Sequence, residues 1–378
     1  MPTGASGSVD VPEGPNNGSP SGSASSAPRS SALLSLLKYA RSATPPGLRH
    51  ALKPIVRTVI PEHLRRQTWE LDVSVADRWV GNRYTIEAEG RLRHFFFISG
   101  CYKSGTNWVQ NLLNLHPQVN IVGEFHFDVL TRGIRQLTGM SWFIGSEPRL
   151  AEVALDGAEL TIRRMMYAAT RGKPAATWLG DRTPHAVVPI IRGAPQIHIV
   201  RDPRDVLVSW SFHHLRLKDP NLMADAFRAK AAVINASFKA DPDGFNPLDG
   251  WLGDEAWLRF HARQWADISR LSRQNIPMLR EQGTDILEVR YEELHADLEV
   301  QRARLYTFLG LNPAEAAAPS AETKTLPGFE RENRKSFFRK GVVGDWQNYL
   351  DDRVLRIIES ELGDELALAG YSHAGAAA

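Results

Sequence analysis

The chain has 378 residues, and its 43% hydrophobic content is enough for one large core or two smaller ones. Its 45 Lys and Arg residues nearly balance 43 Asp and Glu residues, which argues against a nucleic-acid binder, because such proteins need a strong basic excess. The single cysteine, Cys101, excludes an intrachain disulfide and a cysteine metal cluster, and it is typical of a reducing compartment such as the cytoplasm.

The first 93 residues divide into two segments of different composition. Residues 1–30 are rich in Ser, Gly and Pro and lack a long apolar run, which predicts a disordered tail instead of a signal peptide. Residues 31–93 are predicted to form a helical, basic extension, of which 31–65 could contact an anionic membrane surface or pack on the core. Apolar runs are far shorter than the roughly 20 residues of a membrane span, so we predict no transmembrane segment.

Residues 94–370 are predicted to form one folded domain of alternating strands and helices. Three predicted strands, of which the first is fully apolar, each precede a loop and then a predicted helix. These predicted strands are 94–98, 196–200 and 285–291. The alternation predicts an α/β fold with a central parallel sheet flanked by helices. Ligands bind at the carboxyl ends of such strands, so we expect the three loops to meet at one site.

The first of these loops, residues 100–106, has the composition of an anion-binding loop. A loop between a strand and a helix directs free backbone N–H groups and the positive end of the helix dipole at one point. Gly105 permits close approach, Lys103 adds a charge, and Ser104 and Thr106 add hydroxyl donors. The loop is not a Walker A motif, because no lysine follows its second glycine. It therefore predicts a phosphate or sulfate site of another kind.

Two later segments carry further cations. Arg201 directly follows the second strand and could form paired hydrogen bonds with a phosphate, and Ser209 lies about two helical turns further on. Asp202 and Asp205 are predicted to hold this loop by capping and ion pairing. Residues 339–346, Arg-Lys-Gly-Val-Val-Gly-Asp-Trp, are predicted to form a flexible lid over an anion.

Together and in this order, the three segments resemble the donor-binding motifs of the PAPS-dependent sulfotransferase superfamily (PAPS is 3′-phosphoadenosine 5′-phosphosulfate). The first resembles the family's Pro-Lys-Ser-Gly-Thr-x-Trp loop, except that Tyr102 replaces the usual proline. The second resembles the family's 3′-phosphate motif, whose arginine and serine match Arg201 and Ser209. Residues 339–346 match the third motif throughout. The resemblance covers roughly residues 94–350 and implies the P-loop NTPase-like sulfotransferase fold, with 94–370 as the sulfotransferase domain.

The resemblance also implies the donor and most of the site. It implies PAPS as donor, PAP as product and no metal, and Lys103 as the cation that stabilises the leaving group. Tyr291, in Val-Arg-Tyr-Glu-Glu-Leu, is similar to a tyrosine near the adenine. The implied donor-binding residues are Lys103, Ser104, Gly105, Thr106, Asn107, Trp108, Arg201, Ser209, Tyr291, Arg339, Lys340 and Gly341.

The general base has more than one candidate. Residues 115–128 resemble the stretch that carries a glutamate base in the heparan sulfate branch of the superfamily, which implies Glu124 as the base with His126 beside it. The cytosolic branch uses a histidine, for which His185 would be the counterpart in a different sequence context. We favour Glu124 over either histidine. If residues 124–128 are extended, Glu124, His126 and Asp128 share one face and the two intervening phenylalanines point inward.

Three residues are candidates for the acceptor side: Arg182, His185 and Asp128. Arg182 stands where the heparan sulfate branch has a substrate-site lysine, and it can still bind an anion. The predicted function is sulfuryl transfer from PAPS to a hydroxyl or amine of an unidentified carbohydrate, lipid or small metabolite. The alternatives are a nucleotide-dependent kinase and a nucleotide-binding protein without activity.

Overall fold

The computed structural model describes most of the chain beyond its first 72 residues. The described residues are 73–140, 148–170, 173–328, 332–336 and 339–372. The chain divides into two units, Met1–Leu71 and Asp72–Ala378, and the descriptions below concern the second. The predicted tail at 1–30 and the predicted membrane-contact segment at 31–65 lie outside the described residues.

Six strands form one sheet: β1 Thr85–Ala88, β2 Arg91–Gly100, β3 Val119–Ile121, β4 Trp178–Arg182, β5 Gln196–Val200 and β6 Ile286–Arg290. Their spatial order is β3-β4-β2-β5-β6, and β1 pairs with β2. All neighbouring pairs are parallel except the antiparallel pair of β1 and β2. The predicted α/β fold with a central parallel sheet is therefore confirmed.

Helices connect the strands and continue after them. They are α1 Thr106–Asn114, α2 Phe127–Thr138, α3 Pro148–Thr170, α4 Pro203–Leu215, α5 Asp225–Ala240, α6 Glu255–Glu281, α7 Tyr291–Ala296, α8 Leu298–Phe308, α9 Asp352–Leu362 and α10 Glu365–Leu368. Among them, no helix combines the length and apolar character needed to cross a membrane.

Strand β2 lies at the centre of the sheet because its sequence is apolar on both faces. Its residues 95–98, Phe-Phe-Phe-Ile, are completely buried, as expected for a parallel strand that is covered on both sides. Ile98 pairs with Arg182 of β4, and Gly100 pairs with Ile199 of β5. This register brings the carboxyl ends of β4 and β5 to either side of the loop that follows β2.

Two apolar clusters support the sheet and its loops. One joins α4 to α5, α6 and α9 around the fully buried Trp251 and Trp257. The other joins α1 and α8 to β2, β5 and β6. Cys101, in the loop that precedes α1, belongs to the first cluster together with α4, so this loop packs against the helix that follows β5.

The prediction of a helical extension over residues 31–93 is wrong for its described part. After a short 3-10 helix at Val73–Asp77, strand β1 forms a hairpin with β2, which begins three residues before the predicted strand. The physical reason is the turn between them, where Glu89 and Gly90 have φ angles of 55° and 68°. Two successive positive φ angles are typical of a type I′ turn, which favours a two-residue hairpin.

Candidate active site

The loop between β2 and α1 is shaped by two residues in the left-handed region. Lys103 has φ 64° and Gly105 has φ 104°. A Cβ on Gly105 would lie 2.6 Å from the ring of Tyr291, so only glycine fits here without displacing that ring. No side chain caps the first turn of α1. Its free N–H groups are therefore available to an anion, as the sequence predicts.

Ser104 takes a different place from its neighbours in this loop. Its hydroxyl donates a hydrogen bond of 2.6 Å to the carbonyl oxygen of Cys101, and the residue is completely buried. Its backbone N–H donates to the same oxygen at 3.2 Å. Ser104 thus stabilises the curvature of the loop, whereas its neighbours line the cavity described next.

One cavity of about 430 Å³ opens beside this loop, and residues from all three cation-bearing segments line it. Glu124 and Arg182 line it as well, whereas the other base and acceptor-side candidates, His126, Asp128 and His185, are not among its lining residues. The donor-binding candidates that line it are Lys103, Gly105, Thr106, Asn107, Trp108, Arg201, Ser209, Tyr291, Arg339, Lys340 and Gly341. Segments far apart in sequence therefore meet in one space.

Arg201 connects the walls of the cavity. Its Nη1 donates to the carbonyl oxygen of Lys103 at 3.2 Å, and its Nη2 donates to that of Val342 at 3.0 Å. Its guanidinium lies 4.0 Å from the ring centroid of Tyr291, within cation–π range. Its Nε is buried and has no hydrogen-bond partner among the described residues. A buried donor of this kind is what a bound anion would satisfy.

Two aspartates hold the segments around Arg201, as the sequence predicts. The side chain of Asp202 caps α4 by accepting a hydrogen bond of 2.9 Å from the N–H of Arg204. The carboxylate of Asp205 accepts from the N–H groups of Gly344 and Trp346 at 2.8 and 2.9 Å. The predicted capping is confirmed, and one end of the predicted lid is anchored on α4.

Positive charge dominates the cavity. Burial, together with the positive charges of Arg216 and Arg201, lowers the pKa of Lys103 to about 7. Burial, with Arg339 nearby, also lowers the pKa of Arg216 to about 10. Cations whose charged forms are disfavoured in this way would be stabilised by a multiply charged anion, so the electrostatics are those of an anion site.

Residues 123–126, which contain Glu124, are fixed by the end of β4. Burial raises the pKa of Asp181 to about 6, and this carboxyl group is one of the anchors. The hydrogen bonds run from Phe125 N to Asp181 Oδ1 at 3.0 Å, from His126 N to Thr183 Oγ1 at 3.1 Å and from Arg182 N to Gly123 O at 3.1 Å. The predicted base therefore sits on a segment with a defined position.

The side chain of Glu124 forms an ion pair with Arg182. Arg182 is buried, and its Nε also donates to Gln110 Oε1 at 2.9 Å, which fixes the guanidinium against α1. On the other side, Nε2 of His126 lies 3.5 Å from Glu124 Oε2. Arg182 and His126 thus orient the carboxylate from two directions.

The expectation that residues 124–128 are extended is wrong. His126 has φ 56°, and helix α2 begins at Phe127. The left-handed conformation of His126 ends the extended backbone, so Asp128 lies in the first helical turn and does not share a strand face with Glu124. Phe127 is buried as expected, and its ring stacks on that of Phe125 at 4.9 Å.

His185 is buried under the start of the anion-binding loop. Its carbonyl oxygen accepts a hydrogen bond of 3.0 Å from the N–H of Gly100. Its Nδ1 hydrogen-bonds to the carbonyl oxygen of Ala186, and burial lowers its pKa. Its neighbour Pro184 lines the cavity instead. These contacts give His185 a supporting position beneath the loop.

Sequence reasoning missed several lining residues. Trp210 and His213 on α4 line the cavity, as does Tyr102. A signal existed for His213, because it follows Ser209 by four residues and so lies on the same helix face. No sequence signal indicated Leu326, whose segment contacts the site through a 2.8 Å hydrogen bond from Trp108 Nε1 to the carbonyl oxygen of Thr325.

Residues 94–369 match the sulfotransferase domain family. A parallel sheet with an anion-binding loop at the carboxyl end of its central strand is a nucleotide-site architecture. With the family match, this chain belongs to the sulfotransferase family, within the PAPS-dependent superfamily that its motifs resemble.

Two curated relatives and one solved structure illustrate the match. The chain is 24% identical to cytosolic sulfotransferase 17 of Arabidopsis thaliana over 73% of this chain and 75% of the relative. It is 24% identical to the amine sulfotransferase of Oryctolagus cuniculus over 71% of this chain and 80% of the relative. It is also similar to mouse sulfotransferase SULT7A1 complexed with PAP, with 16% identity, a TM-score of 0.40, and coverage of 78% of this chain and 88% of that one.

Proposed function

We propose that this protein transfers the sulfuryl group of PAPS to a hydroxyl or amine of an acceptor and releases PAP. The observation that carries the proposal is a single cavity lined by the three donor-type segments and by Glu124. The family match supports the reaction class. The domain 94–370 is proposed to contain the whole catalytic site.

The donor is proposed to lie along the carboxyl ends of β2, β5 and β6. The free N–H groups of α1, with Lys103, Gly105 and Thr106, would hold the 5′-phosphosulfate. Tyr291 would lie near the adenine. The proposed 3′-phosphate ligands are Arg201, Ser209, Arg339, Lys340 and Gly341. Two observations fit this assignment: the unsatisfied Nε of Arg201 and the uncapped first turn of α1.

In the proposed reaction, the acceptor oxygen or nitrogen forms a bond to sulfur as the bond from sulfur to the bridging phosphate oxygen breaks. Protonated Lys103 would stabilise the negative charge that develops on that oxygen. Glu124 would accept the acceptor's proton, and His126 lies close enough to exchange a proton with it afterwards. Arg182 would act as a positioning residue that aims the Glu124 carboxylate. No step requires a metal.

Calorimetry with PAP tests the donor site first. We expect binding in the micromolar range to the full chain. Turnover is then measured with radiolabelled PAPS and a panel of hydroxyl and amine acceptors. Well-folded protein that fails to bind PAP would overturn the proposal. PAP binding without transfer to any acceptor would favour an inactive nucleotide-binding protein.

We also propose that the protein acts in the cytoplasm. The single cysteine and the name of the Arabidopsis relative, a cytosolic sulfotransferase, support this location. Fractionation of cells that express the full chain tests it, and recovery with the membrane fraction would instead support contact through residues 31–65.

A further inference from the structure

Two buried histidines join α4 to α6 through hydrogen bonds from tryptophans. Nε1 of Trp257 on α6 donates to Nδ1 of His214 on α4 at 2.8 Å. In the opposite direction, Nε1 of Trp210 on α4 donates to Nδ1 of His261 on α6 at 2.9 Å. The two histidines are only 4% and 7% exposed. We call this pair of hydrogen bonds the helix clamp.

The helix clamp requires an unprotonated Nδ1 in each imidazole. An indole N–H is a donor only, so the nitrogen that faces it must offer a lone pair. A neutral imidazole with its proton on Nε2 does so, whereas an imidazolium carries a proton on both nitrogens and cannot accept. Protonation of His214 or His261 therefore places two N–H groups opposite each other and breaks that hydrogen bond.

His261 has a second partner that accepts when the ring gains a proton. Oε1 of Gln264, three residues further along α6, lies 2.7 Å from the same Nδ1. An amide oxygen accepts and an indole donates, so a proton on Nδ1 decides between Gln264 within α6 and Trp210 on α4. The Nε2 of this ring is buried without a hydrogen-bond partner among the described residues, so the added charge gains no contact there. The clamp thus has two alternative hydrogen-bonding states.

The surroundings of the two imidazoles oppose a positive charge. Burial, together with the charges of neighbouring groups, lowers the pKa of His214 to about 3. These groups come from three elements: His261 of α6, His213 of α4 and Lys103 of the anion-binding loop. Burial lowers the pKa of His261 to about 4, although the hydrogen bond with Gln264 acts in the opposite direction. The aromatic rings that contact the two histidines are uncharged: Phe227 of α5, Trp251 of the 3-10 turn Trp251–Gly253, and Trp257 and Phe260 of α6.

The helix clamp bears on the site because α4 forms part of the cavity wall. Trp210, which donates one of the two hydrogen bonds, lines the cavity next to Ser209. A further indole of α6, that of Trp265, donates from Nε1 to the carbonyl oxygen of Arg201 at 3.3 Å. Release of α4 from α6 would therefore displace Ser209 and weaken the support of Arg201, both of which are proposed ligands of the donor.

We propose that the helix clamp is an acid-sensitive switch: protonation of His214 and His261 releases α4 from α6 and so disables binding in the cavity. The release concerns the fold alone, whereas its effect on the donor rests on the proposed function. In a hydrated, open state both imidazoles regain an ordinary pKa of about 6.5. The closed state is therefore fully favoured above about pH 6.5 and is lost progressively as the pH falls below that value.

Hydrogen exchange of the full chain, followed by mass spectrometry, measures the release without any ligand. After correction for the pH dependence of intrinsic exchange, the open population of α4 should rise about 100-fold between pH 7.5 and 5.5, which is about tenfold for each histidine. Helix α3, which packs on α2 and β4, is the internal control, and its exchange should change by less than about threefold.

Asparagine is the matched replacement for both histidines, because its amide oxygen can accept from the same indole and does not titrate. In the double variant His214→Asn/His261→Asn, the rise should fall below about threefold. A second measurement needs no variant: nitrogen-15 spectra of the histidine rings in the native chain at pH 7.5 should show an unprotonated Nδ1 for His214 and for His261. A proton on both Nδ1 atoms would overturn the clamp.

The outcomes separate this inference from the proposed function. An open population of α4 that does not respond to pH, or that responds equally in the double variant, overturns the switch. An equal rise in α3 would show acid unfolding of the whole domain and also overturns it. PAP affinity, measured in parallel, should fall more between pH 7.5 and 5.5 in the native chain than in the double variant, and equal falls overturn the link to the site. Failure of the native chain to bind PAP at pH 7.5 overturns the proposed function, while hydrogen exchange still decides whether the clamp opens in acid.

Discussion

The guanidinium of Arg201 donates a hydrogen bond of 3.2 Å to the backbone carbonyl of Lys103, and so joins the second cation-bearing segment to the first. A second hydrogen bond of 3.0 Å reaches Val342 in the third. The residues of the proposed donor site are therefore mechanically linked. Loss of one side chain should disturb the placement of the others.

This linkage predicts that the effects of substitutions on PAP binding are not additive. Lys103→Ala and Arg201→Ala should each weaken PAP binding about tenfold or more, on the order of 1.4 kcal/mol. The double variant should lose less than the sum, because the two sites interact. Calorimetry measures all three affinities, with Lys239→Ala, an exposed residue of α5, as the control. Additive losses would show that the Arg201–Lys103 contact has no energetic consequence.

PAP binding should be coupled to proton uptake. Burial lowers the pKa of Lys103 to about 7 in the free protein, so at pH 8 much of this amine is neutral. A bound phosphate raises the pKa, so the amine gains a proton on binding, and affinity falls as the pH rises above 7. Calorimetry at pH 8 in buffers of different ionisation enthalpy measures the uptake. Lys103→Met should reduce it by about half a proton or more; equal uptake by both proteins would contradict the coupling.

Glu124→Gln should separate chemistry from donor binding. PAP affinity should stay within about threefold of the native value, whereas turnover should fall about 100-fold or more, as expected for loss of a general base. Single-turnover assays with labelled PAPS measure the effect, and Glu281→Gln on the exposed end of α6 is the matched control. A greater loss from His126→Gln or His185→Gln would assign the base to that histidine, and no loss from any of the three would exclude all of them.

Asp205→Asn should weaken donor binding although Asp205 does not line the cavity. Its carboxylate accepts two backbone N–H groups of the 344–346 turn, and an amide can accept at only one oxygen. Asp345 of this turn pairs with both Arg339 and Lys340 and so positions them, and PAP affinity should therefore fall about tenfold. Circular dichroism and the melting temperature serve as controls for folding. An unchanged affinity would mean that the turn does not depend on this anchor.

Sulfuryl transfer should survive removal of divalent cations. In the proposed site the developing charge is stabilised by side chains of the protein, Lys103 above all, so EDTA should change turnover with PAPS by less than about twofold. A nucleotide-dependent kinase would instead lose activity in EDTA and recover it with Mg²⁺. The same assay with ATP in place of PAPS is the control for that alternative.

The sequence was most informative where apolar strands run into glycine- or arginine-containing loops. The predicted strand at 196–200 has the observed bounds, because its β-branched residues Ile197, Ile199 and Val200 favour a strand and the Arg-Asp-Pro that follows ends it. The hairpin of β1 and β2 was missed, because its signal is a single Glu-Gly turn. Near the end of the chain, α9 ends at Leu362 because Gly363 adopts φ 54°, and α10 follows as a separate turn.

The sequence predicted which segments form the candidate site, but it did not predict the contacts between their side chains. The pairing of Glu124 with Arg182 depends on β3 lying next to β4, and strand order cannot be read from spacing alone. The error at residues 124–128 has a local cause. The alternation of polar and apolar residues predicts a strand, but His126 adopts a positive φ angle, and α2 begins at the next residue. The contact between the rings of Tyr102 and Trp210 needs α4 and the anion-binding loop side by side, which is a property of the tertiary fold.

The contacts of Arg201 span 98 and 141 positions of the chain. The donor site therefore exists only after the sheet and the C-terminal segments have assembled, and an unfolded chain or a fragment offers PAP no comparable partner. Ligands that bind only the native state shift the folding equilibrium towards it in proportion to the logarithm of their concentration. With the proposed donor bound, chains would therefore unfold and be degraded less often, so the cellular supply of the nucleotide would also act on the lifetime of the protein.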